Sequence, residues 1–109
     1  MKIYLVAIAM AKSVCLLSRK VQVHDPDLAR QMRKASTSVP LNMAEGWHAF
    51  GGNRRARFDT AMTEARETIA CLDISAALGY LSDDEVAADL DRADHIVAVL
   101  WKLSRRRRA

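Results

Sequence analysis

Apolar residues recur every three or four positions along almost the whole chain, the spacing that lines them up on one side of an α-helix. Ile3, Ala7, Met10, Val14, Leu17 and Val21 form the first stripe and predict a helix over residues 2–21. Leu5, Val6, Ile8 and Leu16 widen its apolar surface beyond what one neighbour covers, so this helix is expected to be central or also buried between subunits. A second stripe, Leu28, Met32, Val39, Met43, Trp47 and Phe50, with small Ala35 and Ser36 in the gap, predicts residues 26–49. Asp25-Pro26 supplies its start, an N-cap carboxylate followed by proline at the first helical position. Phe58, Met62, Ala65, Ile69, Leu72 and Ala76 predict a third helix over residues 53–78, between a Gly51-Gly52-Asn53 turn and a Gly79 cap. Val86, Leu90, Ala93, Val97, Leu100 and Trp101 predict a fourth over residues 83–104, opened by a Ser82–Glu85 capping box. Residues 105–109 remain as a basic tail. Four helices, short connections and no strand pattern predict an antiparallel up-down-up-down four-helix bundle.

One stretch breaks the regularity. Pro40, Asn42, Glu45 and Gly46 lie within seven positions of the second helix. Proline removes a backbone donor and bends a helix, and glycine costs roughly 1 kcal/mol relative to alanine. Such residues are expected there for packing, assembly or binding. Asn42 and Glu45 are expected to form an internal pair with backbone at the Pro40 bend.

Composition narrows the picture. A chain of 109 residues supports one modest core, and two prolines with four glycines leave little material for the turns of an all-β fold. Cys15 and Cys71 lie in apolar helical runs without pairing or metal spacing, as buried free thiols would. The apolar run Ile3–Ala11 follows a single lysine and keeps helical periodicity beyond it, which argues for a core helix rather than a leader, and it is too short to span a membrane. A cytoplasmic location is expected. Charge is divided along the chain: residues 1–57 hold ten Lys/Arg against three acids, and residues 58–104 hold three against ten. One surface should be basic and another acidic.

Candidate chemistry is sparse. Glu45-x-x-His48 has the spacing of a di-iron helix face, but no second Glu-x-x-His pair accompanies it, and no metal or cofactor is expected. Arg19 and His24 match an Arg-x4-His ribonuclease spacing at the end of the first helix, without an acidic or polar partner. There is no Ser/His/Asp set, Cys/His pair or phosphate-cradling glycine loop. Basic clusters are the better-supported feature. Arg30, Arg33 and Lys34 share a region of the second helix, while Arg54, Arg55 and Arg57 open the third, where positive charge opposes the helix dipole. Arg105, Arg106, Arg107 and Arg108 extend past the fourth. Three such groups in so small a chain are suited to phosphate binding without base reading.

The second helix also carries a resemblance. Gln31-Met32-Arg33-Lys34-Ala35, Ser38-Val39-Pro40 and Asn42-Met43-Ala44-Glu45-Gly46, continued by Phe58, Glu67, Leu72 and Leu78-Gly79-Tyr80-Leu81, resemble a bacterial four-helix-bundle family. That family is encoded in intervening sequences of 23S ribosomal RNA genes. It looks related in fold to the accessory variability determinant of diversity-generating retroelements. The resemblance implies a homo-oligomer, typically a pentameric barrel, that binds RNA or DNA and, in the retroelement relatives, serves a reverse transcriptase. It brings no catalytic residues. The leading expectation is therefore a non-enzymatic nucleic-acid-binding accessory protein. A scaffold docking a partner through the acidic face of helices three and four, around Asp84, Asp91 and Asp94, and an Arg-x4-His ribonuclease are the alternatives.

Overall fold

The computed structural model describes residues 1–105. They form α1 (Lys2–Gln22), α2 (Pro26–Trp47), α3 (Gly51–Ala77) and α4 (Asp83–Ser104), with no strand among the described residues. Each helix packs against the next, and α4 closes back on α1, giving a four-helix bundle 49 × 22 × 19 Å in extent. No helix of the structure is long and apolar enough to cross a membrane.

The caps explain why the helices begin and end where they do. Asp25 accepts a hydrogen bond from the Leu28 N–H at 3.0 Å, and Pro26 follows it without a donor to leave orphaned. At the end of α3, Gly79 takes φ +77°, and the N–H groups of Gly79 and Tyr80 bond back to the carbonyls of Ala76 and Ser75. This paired closure satisfies carbonyls that the helix end leaves bare. Ser82 accepts from the Glu85 N–H at 3.1 Å, while the Glu85 carboxylate accepts from the Ser82 N–H at 3.0 Å.

The α2–α3 connection differs from the sequence expectation. α2 stops at Trp47 rather than residue 49, and α3 starts at Gly51 rather than residue 53. Only Gly51 uses the left-handed freedom of the glycine pair, with φ +55°; Gly52 and Asn53 join the helix behind an extended Phe50.

The core is built from Ile3, Ala7, Met10, Val14 and Val21 of α1, Leu28, Met32, Val39 and Met43 of α2, Phe58, Met62 and Leu72 of α3, and Val86, Ile96 and Leu100 of α4, among others. Leu17, Ile69, Ala76, Leu90 and Val97 sit half-buried at its margin. Three aromatic residues assigned to the core by periodicity are not in it: Trp47, Phe50 and Trp101 are 44%, 78% and 51% exposed. In α4 the buried line runs Val86, Asp89, Ala93, Ile96, Leu100 and Ser104, which leaves Trp101 one position off it. In α2 the line reaches Gly46 after Met43, and Trp47 falls outside.

α2 continues as helix through Pro40. Of the two side chains expected to bond backbone at that bend, Asn42 does so and Glu45 does not. Asn42 donates to the Ser38 carbonyl of its own helix at 2.9 Å, whereas Glu45 turns to Arg57 of α3 at 3.2 Å. Gly46 is a close-approach residue: a Cβ there would lie 2.7 Å from Cδ1 and Cε1 of the buried Phe58 ring. Of the two free thiols, Cys71 is buried and Cys15 only half-buried. Burial, then the charge of Glu67, pushes the Cys71 thiol up.

α1 and α4 are joined by polar links. Ser13 donates to the buried carboxylate of Asp89, which also accepts from Arg92 at 2.8 Å. Lys20 pairs with Glu85. The Lys20 ammonium, aided by the Ser82 N–H, holds the Glu85 carboxyl below its usual range. A carboxylate lowered by folding contributes stability that is present above its unfolded pKa and is lost as pH falls through the lower folded value. The Tm difference between the wild type and Lys20→Met is therefore expected to be open near neutral pH and to close below the ordinary carboxylate range of about 4. A thermal-melt pH series checks this, and a difference independent of pH would remove the link.

Candidate nucleic-acid interface

An antiparallel course gathers the start of α1, the end of α2, the start of α3 and the end of α4 at one end of the bundle. Six basic residues meet there, Lys2, Arg54, Arg55, Arg57, Lys102 and Arg105, against the two carboxylates of Glu45 and Asp59. Arg57 pairs with Glu45 at 3.2 Å. Arg55 and Arg105 share Asp59, at 3.8 and 3.2 Å. That shared carboxylate ties the first turns of α3 to the residue that caps α4. Positive charge at a helix N-terminus opposes the dipole, so these arginines are not there to stabilise α3. Two acids compensate only part of the charge, and the end stays basic.

Aromatic rings lie among these guanidinium groups. Arg54 lies over Trp47, 5.1 Å from the ring centroid, and over Phe58 at 5.3 Å. Arg105 lies over Trp101 at 3.5 Å. The exposed Phe50 stands in the same connection.

The other basic cluster is not part of this surface. Arg30 pairs with Asp27 of its own helix at 3.4 Å. Arg33 donates across to α1, reaching Gln22 at 3.2 Å and Ser18 at 3.4 Å. Lys34 lines an open groove with Arg30, Gln31, Ala35, Glu64 and Glu67. In that groove burial pushes the Glu64 carboxyl up, Glu67 adds to the rise, and Lys34 opposes it. At 1.5 Å per residue, ten residues of α3 put the Glu64 level roughly 15 Å from Arg54. Arg33 thus acts chiefly as a clamp between α1 and α2. The Arg106, Arg107 and Arg108 positions of the sequence-predicted set lie outside the described residues.

The remaining candidates find structural surroundings. His24 stacks on Tyr80, with centroids 4.9 Å apart and rings 2° from parallel, while Arg19 is exposed. Glu45 is engaged by Arg57, and His48 caps α2. Among the described residues no group of three or more His, Cys, Asp and Glu could hold a metal ion. Asp84, Asp91 and Asp94 are exposed on α4. Two features escaped sequence reasoning. One is the buried Asp89, hidden because it occupies a core position of the three-four spacing in α4. The other is the aromatic-arginine end, whose signal was the placement of Trp47, Phe50 and Trp101 beside helix ends and near arginines.

The order of helices, their caps and the absence of strands among the described residues define a small all-α bundle protein. The chain belongs to the 23S rRNA-intervening sequence protein family, whose model matches residues 1–102. A similar fold occurs in the crystal structure of a protein of unknown function from the S23 ribosomal protein family of Bacteroides thetaiotaomicron. The two agree with a TM-score of 0.87 at 16% identity, over 95% of this chain and 99% of that one. No curated protein matches.

Proposed function

We propose that this protein is a non-enzymatic accessory protein that binds RNA or DNA phosphates at the basic end of its bundle. The observation that carries this reading is the gathering of Arg54, Arg55, Arg57 and Arg105 at one end, where two carboxylates face six cations. The sequence continues from that end into Arg106, Arg107 and Arg108. Guanidinium groups held in exchangeable surface ion pairs can trade a carboxylate for a phosphate oxygen at little cost, since such pairs are worth about 1 kcal/mol or less. No base-reading geometry is part of the proposal.

Self-assembly belongs to the same reading. α1 leaves Leu5, Ile8 and Leu16 exposed at 67%, 43% and 51%, an apolar face one copy does not cover. A ring of five copies is the number implied by the family resemblance. A reverse transcriptase as the partner enzyme rests on that resemblance alone.

The test is binding of a labelled structured RNA and of duplex DNA across a salt series, with the mass of the same samples read by light scattering. Binding in the micromolar range at low salt, roughly the strength of phosphate-directed association, is expected, with a steep fall as salt rises. The combined Arg54→Ala, Arg55→Ala, Arg57→Ala and Arg105→Ala variant should bind at least about tenfold more weakly and with a shallower slope, losing up to about 0.9 per phosphate contact removed. Unchanged binding by that variant, with helicity intact, would overturn the proposal.

A further inference from the structure

We propose that the basic end takes unpaired nucleobases, with Trp47 and Trp101 as stacking platforms; the inference rests on the nucleic-acid reading above and names its ligand as single-stranded. Trp47 and Trp101 are the chain's two tryptophans, they come from different helices, and both stand half-exposed at the same end. Helical periodicity assigns each to a core stripe, yet packing places each just outside the buried line. Phe50, 78% exposed, adds a third ring in the α2–α3 connection. The buried aromatic of this region is Phe58, which already fills the contact against Gly46. The buried lines of α2 and α4 thus close without Trp47 and Trp101.

Their neighbours point to the ligand. Each indole has a guanidinium over it, Arg54 above Trp47 and Arg105 above Trp101. A base laid on an indole carries its phosphate only a few ångströms away, within reach of such a guanidinium. Asp59 couples the two positions, because Arg105 bonds to it and its chain neighbour Phe58 carries Arg54. Aromatic rings interleaved with cations form the usual platform for single strands, which accept any base because every base has a π-face. A duplex keeps its bases stacked on one another and offers only phosphates. An acidic protein surface would satisfy the arginines, but its charge alone does not call for exposed indoles beside them.

The experiment uses the full chain and three probes: oligouridylate and oligothymidylate of about twelve residues, within the usual span of single-strand sites, and a duplex of equal length. Tryptophan emission is recorded during titration for the wild type and for the single-tryptophan variants Trp47→Phe and Trp101→Phe. Both single strands are expected to quench emission in all three proteins, since the platform contacts the base and not the sugar. Trp47→Ala and Trp101→Ala should each weaken single-strand binding roughly tenfold while leaving duplex binding within about twofold of the wild type. Circular dichroism verifies that these surface substitutions fold. Single-strand binding that neither quenches emission nor responds to the alanine changes would overturn the stacking inference and leave the phosphate reading standing. Failure of all three probes to bind at low salt would remove both. A loss of oligomer mass in the alanine variants, without any quenching by single strands, would assign the rings to a contact between copies and overturn the inference as well.

Discussion

Gly46→Val is expected to lower the unfolding free energy by about 3 kcal/mol, and Gly46→Ala by about 1 kcal/mol. The cause is distance. A Cβ at this position would sit 2.7 Å from two carbons of the Phe58 ring and 3.1 Å from the Arg57 Cβ. Phe58 is fully buried, so its ring has no solvent to move into. Overpacking of this kind costs about 1–3 kcal/mol, and the gain in helix propensity over glycine returns about 1 kcal/mol of it for alanine. Valine adds two methyl groups against the same ring and has no such margin. Urea denaturation reads the effect, and each kcal/mol corresponds to roughly 4–8 °C in Tm for a domain near this size. A second arm identifies the mechanism. Phe58→Leu shortens the opposing side chain, so Gly46→Ala combined with it should be less damaging than the sum of the two changes. Additive losses would mean that the glycine serves something other than the α2–α3 approach.

That approach also shows what could be read from the chain beforehand. Gly46 stood out as costly for a helix, but its partner is on another helix twelve positions away, and no spacing rule connects them. The four helices were legible because their apolar repeats are long and their start signals are local chemistry. Asp25-Pro26, the Ser82–Glu85 box and Gly79 all act through residues within five positions of themselves. The Gly51-Gly52-Asn53 turn misled by two residues because glycine permits a turn without requiring one; only Gly51 takes positive φ.

The candidate site was legible in part. Charge composition singled out Arg54, Arg55, Arg57 and Arg105, and the antiparallel course brings them to one end. Arg30, Arg33 and Lys34 looked equivalent in the sequence, but they precede the end of α2 by thirteen or more residues, roughly 20 Å of helix from the basic end. Periodicity erred on Trp47 and Trp101 for a geometric reason. A stripe is about 100° wide, and a large ring at its edge near a helix end has no facing helix to cover it. The same averaging hid Asp89, whose polar side chain occupies a buried position between Val86 and Ala93.

Arg92→Met is expected to destabilise the protein by about 3 kcal/mol, more than Asp89→Ala, although Asp89 is the buried member of the pair. The asymmetry follows from where each group would be left. The Asp89 side chain is 1% exposed and the Arg92 side chain 38%. Without Arg92 the carboxylate remains in the core with the Ser13 hydroxyl as its remaining partner, an uncompensated buried charge. Methionine keeps the apolar stem, so lost packing is not the cause. Without Asp89, by contrast, Arg92 swings into water and Ser13 is already half-buried, leaving a cost of about 1–2 kcal/mol for the lost hydrogen bonds and the small cavity. The double variant should therefore be more stable than Arg92→Met alone, a second substitution that restores what the first removed. Denaturant unfolding of the four proteins decides it, and an Asp89→Ala loss larger than that of Arg92→Met would reject the buried-charge account. The consequence reaches the basic end of the bundle. The α1–α4 seam is the least extensive of the four packed seams, and Ser13–Asp89 crosses it. Fixing α4 against α1 there sets the axial position of Trp101 and Arg105, about 18 and 24 Å further along the helix. A polar link worth only about 1–2 kcal/mol can in this way determine where Trp101 and Arg105 stand.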